Sequence, residues 1–396
     1  MNKHLLISIF IFAAIIIATA IVILFAKGYR FGFDTGKIAL SGTGLLVVKS
    51  VPDGAQVFIN DHLTTATDST INLDPGKYKV RISKEGYFSW EKEISIQEEV
   101  VSKAEALLFP SAPKLESITD IGVGSPVLDP SQTKIAFIVS SQSARTNGVY
   151  VFDMSSRPIL TLQSATTQIA DDTLDLFSEA NLAWSPDGKE IIATISARTG
   201  SPASYLLSTR ELNQNPRNVT LLINSVQATW QTQKEAKENA QINSLSRSLR
   251  PFVRENFKIL AWSPDDTKIL YQASASAELP IIIKPRLIGT NPTREQRNLI
   301  ADRIYVYDTK EDRNYELNGN NFLGAYAWYP DSKHLIFVKD KKVSASEFDG
   351  GNETVVYAGP FNENYVFPWP DATRIVILTD LGNLTITPNL YTISLK

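Results

Sequence analysis

The 396-residue sequence predicts an all-β protein: an N-terminal transmembrane helix, a small β-sandwich, then a β-propeller of about five blades, with six possible. Three observations predict it. One uninterrupted apolar run, Leu5 to Ala26, stands at the N-terminus, and none follows. Between residues 44 and 109, apolar and polar residues alternate with period two and are broken by turn signals. Beyond residue 110, one proline-centred motif recurs five times, each time ahead of a new apolar run.

Composition narrows the function classes. With 39 basic and 42 acidic residues the net charge is −3, which excludes the basic footprint of a nucleic-acid binder. The absence of cysteine removes disulfide scaffolds, thiolate nucleophiles, zinc ribbons and iron–sulfur sites. Three histidines, His4, His62 and His334, lie far apart, so a His-based metal site or catalytic network has little to draw on. Gly36, Gly76 and Gly188 each precede Lys, but no Ser or Thr follows, so there is no P-loop. The acidic stretch Asp171, Asp172 and Asp175 lacks EF-hand spacing and reads as a solvated turn. No catalytic residue, cofactor or metal is expected.

Leu5 to Ala26 carries no charge and only two polar residues, Ser8 and Thr19. As a helix it would span ~33 Å, enough for a ~30 Å hydrocarbon core. Ala18-Thr19-Ala20 has the small-x-small form of a cleavage site, but the apolar residues Ile21 to Phe25 continue past it, which favours an uncleaved anchor. Residues 1–30 are therefore expected to form a tail and membrane anchor, and 31–43 a juxtamembrane linker. The remaining chain would be exported, giving a single-pass protein of a bacterial cell membrane with an extracytoplasmic body.

From 44 to 109, Tyr78, Val80 and Ile82 alternate with Lys77, Lys79, Arg81 and Ser83 as in a strand with one buried face. Pro52-Asp53-Gly54, Asn60-Asp61, Asp74-Pro75-Gly76 and Glu85-Gly86 mark turns. Five to seven short strands fit this length as a sandwich, with His62 in a solvated hairpin loop. The run Ser50-Val51-Pro52-Asp53-Gly54-Ala55-Gln56-Val57-Phe58-Ile59-Asn60 resembles the opening of the PEGA domain, with Asp53 in place of its Glu. Leu73-Asp74-Pro75-Gly76-Lys77-Tyr78-Lys79-Val80 and Glu85-Gly86-Tyr87 resemble its second half. The resemblance implies a surface-associated β-sandwich of bacterial envelope proteins without catalysis.

A short linker, Pro110 to Pro113, opens the rest, 110–396. The repeats read Leu128-Asp129-Pro130, Trp184-Ser185-Pro186, Trp262-Ser263-Pro264, Trp328-Tyr329-Pro330 and Pro368-Trp369-Pro370. Ser131, Asp187, Asp265, Asp331 or Asp371 follows each proline, and Ile135, Ile191, Ile269, Leu335 or Ile375 opens the next apolar run five positions on. This is strand, tight turn, strand, with proline fixing φ and Asp accepting backbone N–H groups. A third strand of each unit is expected as at Val149–Asp153 and Ile304–Asp308, and a fourth as at Pro158–Leu162 and Leu390–Leu395. The Trp-Ser-Pro-Asp-Gly-Lys form resembles the TolB-type propeller repeat. Similar propellers serve as protein-binding platforms or as gating domains of prolyl oligopeptidase-like enzymes. The second association implies a hydrolase domain with a G-x-S-x-G elbow, and no glycine here opens one.

Two insertions interrupt the repeats, at about 226–255 and 276–301. Trp230 to Phe252 reads as a helix, with Ile242, Leu245, Leu249 and Phe252 on one face. The 276–301 excursion is long for a hairpin loop, and its Arg286, Arg294 and Arg297 are the partner-binding candidates. The function these readings predict is a non-enzymatic, membrane-anchored binding or scaffolding protein of the envelope, with a protein or cell-wall glycan as partner and no nucleic acid. The rival is a propeller-borne glycan hydrolase or lyase, which would need two carboxylates converging in one cleft.

Overall fold

The computed structural model describes residues 3–26, 30–34, 37–155, 165–196, 202–317 and 326–396. The chain divides into two units, Met1–Ser111 with Ile283–Arg294, and Ala112–Ile282 with Glu295–Lys396. The strand expected over Pro158–Leu162 lies outside the described residues.

The first unit begins with helix α1, Lys3–Ala26. Among the described residues no helix is long and apolar enough to cross a membrane. The transmembrane anchor, the integral-membrane partnership and the single-pass location in the bacterial membrane expected from the sequence are therefore withdrawn. In place of the expected linker, Arg30–Asp34 and Lys37–Ser41 pair as an antiparallel hairpin.

Seven strands then form two sheets. One runs in the order Ser69–Leu73, Gly44–Val51, Val101–Leu107, with the last two parallel. The other runs His62–Ala66, Gln56–Ile59, Gly76–Ser83, Trp90–Ile96, all antiparallel. The alternation seen in the sequence is the alternation of burial: Val80 and Ile82 are buried, with Val57, Leu46, Val48 and Trp90 in the same core. Asn60 and Asp61 both take positive φ, 50° and 65°, the conformation a two-residue hairpin turn requires. His62 is exposed at the start of its strand.

The second unit is built from four-stranded antiparallel sheets, five among the described residues. The first comprises Gly124–Leu128, Lys134–Val139, Gly148–Asp153 and Thr166–Asp171. The second comprises Ala180–Trp184, Glu190–Ile195, Ala203–Ser208 and Arg217–Asn218. The third comprises Phe257–Trp262, Lys268–Ala273, Ile304–Asp308 and Arg313–Glu316. The fourth comprises Ala327–Trp328, His334–Lys339, Lys342–Glu347 and Thr354–Tyr357. The fifth holds Val366–Pro368, Arg374–Thr379 and Asn389–Ser394, and its outer strand is Leu115–Ser117 from the other end of the unit. The C-terminal strand expected as a fourth strand is thus the third.

One turn joins the first two strands of every sheet. The residue before each proline donates its N–H to the carbonyl five residues on: Asp129 to Lys134, Ser185 to Glu190, Ser263 to Lys268, Tyr329 to His334 and Trp369 to Arg374, all at 2.9–3.0 Å. Two residues past each proline φ is positive, at Gln132, Gly188, Asp266, Ser332 and Ala372, so glycine fills this left-handed position only once. Side chains complete the turn. The Ser185 hydroxyl accepts from the Lys189 and Glu190 N–H groups at 3.1 and 3.0 Å and donates to Asp187 at 2.8 Å. Ser263 does the same with Thr267, Lys268 and Asp265. In the first turn the Asp129 carboxylate takes over the serine's acceptor role, 2.7 Å from Thr133 N and 2.6 Å from Lys134 N.

No closed propeller is found among the described residues, and the expected architecture is corrected accordingly. Shared cores couple the fifth sheet to the first, the first to the second, and the third to the fourth. Between the second and third sheets the chain inserts α2, Ile223–Ser244, and α3, Arg250–Asn256. The start of α2 packs Ile223, Val226 and Trp230 on Ile192 and Leu206 of the second sheet. Its end places Ile242, with Leu245, Leu249 and Val253, on Phe257 and Tyr271 of the third. The single helix expected from Trp230 to Phe252 is two helices, because Leu245 turns extended (ψ 164°) and a proline near the first turn, Pro251, restarts the helix as α3.

The turn carboxylates make stability sensitive to acid. Burial opposes ionisation of Asp265, but hydrogen bonds from Ser263 and Thr267 outweigh it and hold the carboxyl at about 2, below its ordinary 3.8. A side-chain hydrogen bond from Ser185 likewise holds Asp187 down. At Asp331, burial is outweighed by the His334 ring and two backbone N–H groups. Folded values below unfolded ones mean the contribution is present above about pH 4 and lost as pH falls through the folded values. The melting temperature of the second unit should therefore fall between about pH 4 and pH 2, and Asp265→Asn should flatten that dependence. An unchanged slope in the variant would remove Asp265 from this account.

Candidate functional site

Two places in the molecule carry exposed, chemically distinct surface. The first is a cavity of about 550 Å3 in the second unit, where the turns of the first three sheets come together under α2. Pro130, Pro186 and Pro264 line it with Ile259, Leu260, Ala261 and Trp262, and α2 contributes Lys234, Lys237, Glu238 and Gln241. Gln241 donates to Asp266 at 2.6 Å, tying the helix to the third turn. The Arg254 guanidinium holds α3 to α2 through Asn239, 2.9 Å away.

The second place is the 276–301 excursion. Ala277–Glu278 pairs with Asn298–Leu299 at its neck. Arg297 closes that neck. Its guanidinium pairs with Glu295 at 2.8 Å and Asp312 at 2.9 Å, and donates to the carbonyls of Leu279, Pro280 and Asp312. Arg286 and Arg294 lie in 283–294, the segment that groups with the first unit. A Cβ on Gly289, whose φ is +66°, would press on Val100 and the Val101 carbonyl, so this stretch lies close against a strand end of the first unit. Arg294 is exposed and Arg286 half-buried. Between them Leu287 and Ile288 are 43% and 69% exposed.

Three carboxylates of the repeated turns act as acceptors within them. Asp187, Asp265 and Asp331 are all shifted downward, as charge-holding groups are and as a general acid is not. The pair of buried His334 and half-buried Asp331, 2.6 Å apart, belongs to the fourth turn, where the same Asp accepts from the Lys333 and His334 N–H groups. Among the described residues no group of three or more His, Cys, Asp or Glu could hold a metal.

The two-sheet body of the first unit, opening on Ser50 to Asn60, settles one comparison. Residues 43–109 match the PEGA domain. No curated protein matches the chain. Among solved structures, the putative TolB from Agrobacterium tumefaciens is 13% identical, over 70% of this chain and 74% of its own, with a TM-score of 0.23. TolB from Acinetobacter baumannii is 14% identical over 80% and 59%, with a TM-score of 0.25. The acylaminoacyl peptidase of Pyrococcus horikoshii is 12% identical over 69% and 39%, at 0.20. Scores this low leave the architecture to be read from the chain's own sheets.

The PEGA domain was legible from three spaced motifs. The cavity was not, because its walls come from turns 56 and 78 residues apart and from a helix whose start the sequence reading missed.

Proposed function

We propose that this chain is a non-enzymatic binding protein, a PEGA domain joined to a multi-sheet platform, whose partner is a protein with acidic surface. The observation that carries this reading is the 286–294 segment. Two exposed apolar side chains, Leu287 and Ile288, stand between two arginines, so apolar contact area and charge-assisted donors share one stretch of surface. Arg297 fixes the neck of the 276–301 excursion through Glu295 and Asp312.

The test starts with the tagged full chain in its native cells, proximity labelling, and reconstitution with each enriched protein in purified form. Arg294→Glu and Ile288→Asp, both on exposed positions, should each weaken the reconstituted complex at least tenfold and leave the melting temperature unchanged. The Arg294 effect should shrink as salt rises. A chain that captures no protein, or variants that bind as tightly as the parent, would reject the proposal.

A further inference from the structure

The cavity beneath α2 has features that the platform reading does not use. Strand Phe257–Trp262 is the edge strand of the third sheet, and residues 259–262 of it form one wall. An edge strand offers main-chain N–H and C=O groups to any extended chain laid beside it. Its pairing register jumps between Ile259 and Ala261, so Leu260 is a bulged residue. The bulge leaves Leu260 46% exposed on the cavity wall, where the rings of three prolines complete an apolar floor.

The roof is charged and stands clear of the sheet. Residues 231–240 of α2 are all exposed, although both ends of the helix are packed. A further cavity of about 260 Å3 lies on the other flank of α2, lined by Glu235, Asn239 and Ile242. Lys234 and Lys237 face the larger cavity without an ion pair among the described residues.

The seam behind this wall is unlocked. In the second sheet the Trp184 indole N–H donates to the Val127 carbonyl of the first sheet at 3.0 Å. Trp262 holds the same place in its repeat, yet its buried indole N–H finds no acceptor among the described residues. We infer that this cavity binds an extended polypeptide segment of a partner, one carrying an apolar residue beside a carboxylate. The segment lies along the Ile259–Trp262 edge, its apolar side chain meets Leu260 and the prolines, and its carboxylate meets Lys234 and Lys237. About 550 Å3 is within the range of ligand cavities.

A random heptapeptide library displayed on phage and selected on the full chain tests this. Enriched peptides should pair an apolar residue with Asp or Glu. Synthetic copies should bind at least tenfold more weakly to Leu260→Asp and to the double variant Lys234→Glu, Lys237→Glu. Arg294→Glu should not affect them. All these positions are exposed, so unchanged melting temperatures are expected and verify folding. A library that yields no enriched peptide, or peptides indifferent to both cavity variants, overturns the inference. Peptides lost with Arg294→Glu alone would also overturn it, while leaving the loop surface of the proposed function standing.

Discussion

Asp312→Ala should lower the stability of the second unit by roughly 3–5 kcal/mol, the cost of breaking a buried ion pair from one side. Asp312 is fully buried, and its carboxylate collects three donors. Arg297 Nη2 and the Tyr307 hydroxyl donate to one oxygen, both at 2.9 Å, and the Ile282 N–H donates to the other at 2.7 Å. Burial, reinforced by the Asp312 charge, pushes the Tyr307 phenol up, so this hydroxyl stays the donor. Removing the carboxylate strands the Tyr307 hydroxyl and the Ile282 N–H and leaves the Arg297 charge with Glu295 alone. Alanine also fits poorly at φ 52°, where Asn and Asp are tolerated. For a unit of this size the loss corresponds to a fall in Tm of roughly 5–9 °C. Calorimetry of the full chain should place the loss in the transition of the second unit. Asp312→Asn, which keeps shape and backbone preference, should cost less than the alanine variant. Equal Tm values for wild type and Asp312→Ala would reject the network as a source of stability.

The same network shows where sequence reading ends. Arg297 was singled out because an arginine in a long loop can reach a partner. Nothing local announces that Asp312, fifteen residues away and beyond an intervening strand, is its acceptor. The five prolines did announce their turns, because proline fixes φ and the apolar run that follows sets the next strand. The left-handed residue two positions later was hidden, since Gln132, Asp266, Ser332 and Ala372 occupy it where glycine would have been the signal. Asp129 was equally hidden as a stand-in for Ser185 and Ser263, because it precedes its proline where the other acidic residues follow theirs. In α2 the pattern Ile223, Val226, Trp230 was present at helical spacing, but the polar stretch from Gln231 to Gln241 drew the start of the helix too late. The Leu115–Ser117 strand pairs with residues near 392, and no local periodicity specifies a partner that distant.

The tryptophans of the repeat should separate packing from hydrogen bonding. Trp328 is 1% exposed and packs against Leu270, Val306, Leu317 and Leu335 where the third and fourth sheets meet. Trp328→Ala removes the largest side chain of that core, and the strands around it can collapse only in part, so a loss of about 3–5 kcal/mol is expected. Trp328→Phe should cost much less. The Trp328 indole N–H has no acceptor among the described residues, and phenylalanine removes an unpaired buried donor along with some volume. Trp184 provides the contrast, since its N–H is bonded to the Val127 carbonyl across the first seam. Trp184→Phe strands that carbonyl and adds about 1–3 kcal/mol to the packing loss. Chemical denaturation of the three single variants at positions 184 and 328 should thus give a larger Phe penalty at 184 than at 328. A larger Phe penalty at 328 would show that its indole nitrogen is paired after all, and that the seam between the third and fourth sheets is held by a hydrogen bond as well as by apolar packing.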